Sequence, residues 1–248
     1  EAKIHGVGYC ARGTILSIAA AAMARDGDDR LGSLTLLAAQ TDFEKPGEVA
    51  TFLHEPQVAI LEAIMNFQGF LDPRQMAAAF YALRADDLVW APYIRRYLLG
   101  ETHDGGDLDA WFHDGTRLPA AMHGQYLRWL YLENRLSKGQ LQAGGKRVSL
   151  TDVRVPLFAV GADRDHIAPW QSVFRGASLM RGDHTLLLSG GGHNSAIVSP
   201  PGKAHAFYRV HSSDGDDAQE GRFSWTETGP RQSGSWWPEW VGWLGRHS

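Results

Sequence analysis

The strongest constraint on the fold is a short stretch in which a strand pattern turns into a helix around the chain's single cysteine. Lys3 to Tyr9, K-I-H-G-V-G-Y, reads as a strand. Gly8, Cys10 and Gly13 punctuate it, and Thr14 to Arg25 continues as an alanine-rich apolar helix stopped by Asp26-Gly27. Three more apolar segments read as buried strands: Ser33 to Ala39, Val155 to Gly161 and Thr185 to Ser189, the last ending in Gly190, Gly191 and Gly192. Strands of this kind separated by helices predict an α/β domain built on a parallel sheet with covered faces.

Residues 1–40 thus hold the first strand, helix and second strand of a core, and 153–248 hold its C-terminal part. Between them, 41–152 carry helical patterns at Val58 to Phe67, Pro73 to Arg84 and Pro119 to Leu136. A connection this long predicts a helical cap insertion rather than a loop. Ser212 to Gly221 reads as an exposed loop, and Ser235 to Leu244, with Trp236, Trp237, Trp240 and Trp243, as a terminal helix docking an aromatic face on the core.

Composition narrows the function. In 248 residues, 44% hydrophobic and 21% charged with net charge −4, no cluster of Lys and Arg forms a face for nucleic acid. The run Ile15 to Ala24 is far short of the roughly 20 apolar residues that span a bilayer. No secretion signal is read at the start. One cysteine can form neither an internal disulfide nor a cysteine metal cluster, so no metal is expected.

The thiol's surroundings favour a nucleophile. A strand, a tight glycine-flanked turn and a helix are the context of a nucleophile elbow, in which the side chain stands clear and the helix N-terminus faces a developing oxyanion. Such an N-terminus also favours the thiolate. Cys10 occupies that point, with Gly8 two residues before it and the backbone N–H of Ala11 as oxyanion donor. Two residues after it stands Arg12, where a small residue is expected, so Arg12 is expected to crowd the elbow.

In this context the order along the chain is nucleophile, acid, histidine. Asp163 and Asp165 both qualify as the acid in G-A-D-R-D-H-I-A-P-W, and Asp165 is preferred because it stands at the loop bend. His193, in S-G-G-G-H-N, is the histidine expected after the final strand. His166 adjoins the acid and either lines the site or supports it from behind. His123 and Asp114 have no partner identifiable from sequence, Ser195 reads as a loop hydrogen-bonding residue, and the other histidines as surface or structural.

These segments resemble poly(3-hydroxyalkanoate) synthases of the class I type, within the α/β-hydrolase superfamily. G-Y-C-A-R-G-T looks like their lipase-like box, with cysteine in place of serine. W-F-H-D-G-T-R-L-P (111–119) and M-H-G-Q-Y-L-R-W-L-Y-L-E-N (122–134) resemble two further motifs, and R-D-H-I-A-P-W and G-G-H-N-S-A-I-V-S-P-P match the acid and histidine segments. The resemblance implies an acyltransferase that polymerises (R)-3-hydroxyacyl-CoA into polyester and releases coenzyme A. It implies no cofactor beyond that thioester substrate, a homodimer through the cap, and a cytoplasmic location at the polyester granule surface.

Carried over, Cys10 is the acyl-accepting thiolate and His193 its general base. Asp165 either orients His193 or assists deprotonation of the attacking 3-hydroxyl. The cap is expected to exclude water. The hydrolase core is expected to lack its N-terminal strands here, with the upstream loop that donates a second oxyanion N–H, making the chain part of a longer synthase. A hydrolase or depolymerase with the same triad, and a catalytically silent granule- or partner-binding fragment, are the alternatives.

Overall fold

The computed structural model describes residues 3–101, 106–107, 110–111, 114–213 and 223–247. Residues 214–221 of the expected exposed loop, and Phe112 and His113 of the segment 111–119, lie outside the described residues. The chain divides into two compact units, one formed by Glu1–Gly47 with Trp129–Ser248 and the other by Glu48–Arg128.

The first unit is organised on a six-stranded mixed sheet. Its strands are β1 (Ile4–Tyr9), β2 (Leu31–Leu37), β3 (Leu157–Ala162), β4 (His184–Ser189), β5 (Phe207–Ser213) and β6 (Gln232–Ser233), paired in that order. β1 to β4 are parallel, as the apolar runs predict. β5 pairs antiparallel with β4, and β6 antiparallel with β5, which adds two strands the sequence reading did not identify to the parallel set. The reason is in β5 itself: F-Y-R-V-H-S-S is only partly buried, as suits a strand near an edge rather than a doubly covered one. By contrast every residue of β3 and β4 is buried.

Helix α1 (Ala11–Asp26) lies against β1, β2 and the loop after β2. Its buried face consists of Gly13, Thr14, Ser17, Ala20 and Ala21, small side chains that let it approach the sheet closely. Thr14 Oγ1 donates to the Gln40 carbonyl at 2.7 Å and Ser17 Oγ to the Gly13 carbonyl at 2.8 Å. The helix stops where the sequence predicts, at Gly27, whose φ of 74° few other residues adopt cheaply. Phe158, Val160, Leu187, Ile197, Trp236 and Trp243 form one core cluster. The terminal helix (Trp237–Arg246) therefore docks its aromatic face on that core, as expected.

Among its described residues the second unit is mainly helical, with one short antiparallel ladder of Phe70–Leu71 and Leu118–Pro119. Glu55–Gln68 and Pro73–Leu83 each begin with a proline in the first turn, and Asp72 caps the latter by accepting from Arg74 N–H at 2.9 Å. Val58, Met65, Leu71 and His123 are buried within it, and Arg128 grips Glu62 through two hydrogen bonds of 2.7 and 2.8 Å. No helix among the described residues is long and apolar enough to cross a membrane.

Candidate active site

The elbow is a backbone device. Cys10 follows β1 with φ 53° and ψ −131°, a conformation that a residue with a Cβ adopts only under constraint, at about 1–3 kcal/mol. Its N–H still donates to the Leu37 carbonyl at 2.9 Å, while its own carbonyl already accepts from Gly13 N–H at 2.9 Å as α1 begins. The chain turns within one residue because Gly8 and Gly13 touch. A Cβ on Gly8 would stand 2.5 Å from Gly13 Cα, and one on Gly13 would stand 2.4 Å from Ala39 Cβ and 2.8 Å from the Gly8 carbonyl.

That contact overturns one expectation. The close approach falls on Gly13, three residues after Cys10, and not on Arg12, two after it. Arg12 lies in the first turn of α1 with its side chain exposed, so it does not crowd the elbow. Sequence position was a poor guide because helical rotation, rather than distance along the chain, decides which residue faces β1.

Cys10 itself is half-buried and occupies the N-cap position of α1 without using its side chain as a cap. The sulfur is thus left for other work at the positive end of a helix. Ala11, the first helical residue, contributes one of the N–H groups that have no carbonyl a turn earlier to bond.

The acid and histidine segments converge on this sulfur from the loops after β3 and β4. His193 Nδ1 lies 2.7 Å from Asp165 Oδ2, both side chains being buried. The other carboxylate oxygen of Asp165 accepts from the Ile167 and Ala168 N–H groups at 2.9 Å each. Asp163 does different work: it accepts from Gly191 N–H at 2.6 Å and so steadies the glycine run before the histidine. Burial opposes a charge on His193. The hydrogen bond to Asp165 and the nearby Cys10 outweigh burial and raise its pKa to about 10. With Nδ1 turned to Asp165, Nε2 is the ring nitrogen left for Cys10.

His166 is half-buried, and its carbonyl packs against Gly47, where a Cβ would meet it at 2.5 Å. His123 is buried in the helical unit, and burial lowers its pKa. Ser195 Oγ accepts from Gly192 N–H at 3.0 Å, a bond within the histidine loop.

Several contributors were not singled out from sequence. Tyr9 donates its hydroxyl to Asn194 Oδ1, and its ring lies 5.2 Å from that of His193. The indole N–H groups of Trp236 and Trp237 donate to the carbonyls of Ala196 and Ile197 at 2.9 and 3.0 Å. Lys203 Nζ reaches the carbonyls of Ser195 and Val198. The signal for the tryptophans was their clustering, but their polar ends could not be assigned before the loop they meet was placed.

Comparison with known proteins agrees with this architecture. A family model described as the alpha/beta hydrolase fold matches residues 2–200. The poly(3-hydroxyalkanoate) polymerase subunit PhaC of Rhizobium meliloti (strain 1021) is 41% identical over 99% of this chain and 40% of its own length. The poly(3-hydroxyalkanoate) polymerase of Methylorubrum extorquens is 40% identical over 98% of this chain and 40% of its own. The chain therefore spans about two fifths of the length of these curated relatives. Among solved structures, a hydrolase from Pseudomonas aeruginosa PA01 covers 77% of this chain and 58% of its own at 14% identity, with a TM-score of 0.44. With a family model covering most of its length, and similarity to these polymerases along the whole of it, the chain belongs to the alpha/beta hydrolase fold family.

Proposed function

We propose that this chain carries the acyl-transfer centre of a poly(3-hydroxyalkanoate) synthase, with Cys10 as nucleophile, His193 as its base and Asp165 as the residue that orients the histidine. The observation that carries the reading is the buried Asp165–His193 hydrogen bond of 2.7 Å, whose imidazole is near enough to Cys10, on its strained elbow, for the two to interact electrostatically. His193 holds the proton taken from Cys10, and the resulting thiolate adds to the thioester carbonyl of (R)-3-hydroxyacyl-CoA. Ala11 N–H stabilises the oxyanion. The C–S bond to coenzyme A then breaks, and His193 returns the proton to the departing thiol. In the next step His193 takes the proton of an incoming 3-hydroxyl, whose oxygen attacks the acyl–Cys10 thioester. The new ester extends the chain, and Cys10 leaves as the thiolate beside the again protonated His193. Acyl exchange between two thioesters is nearly balanced in energy, and a thiolate is a strong nucleophile near neutral pH.

Asp165 is supported as an orienting group rather than a base toward substrate. Its carboxylate is fully buried, and both oxygens are engaged, one by His193 and one by two backbone N–H groups. The helical insertion 41–152 is proposed as the cap that keeps water from the acyl-enzyme. Incubation with (R)-3-hydroxybutyryl-CoA tests the whole reading. The expected result is released coenzyme A, an acyl adduct on Cys10 by mass spectrometry, and polymer. Free hydroxy acid without polymer would make the chain a hydrolase with the same triad, and full turnover by Cys10→Ala would sink the mechanism.

A further inference from the structure

Cys10 and His193 stand just beyond the ends of two strands that do not touch: β2 and β3 lie between β1 and β4, so no direct ladder hydrogen bond ties the elbow to the histidine loop. A side chain spans that gap. Tyr9, the residue before the nucleophile, bonds Asn194, the residue after the histidine, across 185 positions of sequence. Both ends are anchored. Tyr9 is paired with Leu37 in the sheet and packs on the central core cluster. The Asn194 carbonyl accepts from the Ile197 and Val198 N–H groups at 3.1 and 2.9 Å. The Tyr9 ring also flanks the His193 ring at a tilt of 37°, which limits how far the imidazole swings.

We propose that Tyr9 and Asn194 are positioning residues whose hydrogen bond sets the spacing between Cys10 Sγ and the His193 ring. The proposal rests on the reading of Cys10 and His193 as the acyl-transfer pair. Burial, and then the neighbouring charge on Cys10 and Asp165, hold the Tyr9 phenol in its protonated form well above the usual range, so it remains a donor wherever the enzyme works. The anchors from Trp236 and Trp237 reach only Ala196 and Ile197, beyond Asn194 and away from β1. Without the Tyr9 hydroxyl the histidine keeps its loop but loses its register against the elbow.

Because Cys10 is the chain's single cysteine, its alkylation by iodoacetamide reads the pair directly and without turnover. Tyr9→Phe and Asn194→Ala are each expected to lower alkylation below neutral pH, and to lower kcat for coenzyme A release about ten- to hundredfold with KM little changed. The double variant is expected to be no worse than either single one, as for two ends of one bond. A pH profile of alkylation that superposes on the parent's while Tm falls would show a merely structural bond and overturn the proposal, as would losses that multiply. Should Tyr9→Phe fail to fold, Asn194→Ala gives the same reading from a half-buried loop position. His193→Ala separates the two claims: if its alkylation profile matches the parent's, the reading of the pair fails, whatever the Tyr9 variants do.

Discussion

The elbow and the histidine loop hold Cys10 and His193 by opposite means. Cys10 is placed by its immediate neighbours: Gly8 and Gly13 touch, and the backbone has nowhere else to go. His193 is placed from a distance, by Asp163 and Asp165 after β3, Tyr9 on β1, Lys203, and indoles from the end of the chain. One site is steric and local, the other is polar and assembled. The geometry at Cys10 is therefore as robust as a few residues of backbone, whereas that at His193 depends on the whole unit being folded.

The comparison breaks most visibly at the acid. Asp165→Asn is expected to reduce kcat by about three to four orders of magnitude, as when the orienting carboxylate of a triad is lost. Asp163→Asn only loosens Gly191, so coenzyme A release should fall far less. Equal losses in the two variants would mean that loop support, not imidazole orientation, limits the rate.

The electrostatic side of the histidine loop is legible in pH. The folded pKa of His193 is raised to about 10 from an ordinary 6.5. Its contribution to stability is thus complete below about pH 6.5 and is lost as pH rises through about 10. Urea midpoints measured across that window should decline for the parent and decline less for His193→Gln; parallel curves would refute the linkage.

Smaller effects sharpen the contrast. Gly13→Ala should cost about 1–3 kcal/mol and most Cys10 alkylation, because its Cβ meets backbone and Ala39 rather than a yielding side-chain tip. Trp236→Phe removes a buried donor to Ala196 and should cost about 2 kcal/mol. Hydrogen exchange should then quicken at 194–198 and stay unchanged at 10–14; quickening at both would erase the distinction between the two regions. Arg12→Gly should change stability by no more than about 1 kcal/mol and leave alkylation where it was, since Arg12 is exposed. A gain in alkylation would restore the crowding that the sequence pattern suggested.

Much of the fold could be read before any coordinates. The four predicted strands become the four parallel strands, within two residues at each end; three are apolar runs, as largely buried strands require, whereas β1, only partly buried, was marked by its glycine-flanked turn into the helix. Helix α1 was legible from its alanines and its Asp-Gly stop. The strand 207–213 was missed because its polar residues alternate with apolar ones in a half-exposed position, and pattern alone did not mark it. Of the candidate site, the order cysteine, acid, histidine was visible in the chain; the supporting polar contacts were not.

The sequence by itself determined a strand, a tight turn and a helix around Cys10, because closely spaced glycines permit the approach of Gly8 to Gly13 that a Cβ at either would block. Only the tertiary structure decided that Gly13 rather than Arg12 most closely meets Gly8 and that Tyr9 and the tryptophans grip the histidine loop, and it set Asp165, the aspartate preferred from sequence, rather than Asp163 against His193. Those choices turn on direction as much as on identity. Two aspartates two residues apart are chemically the same, and the path of the loop alone decides which carboxylate faces the imidazole.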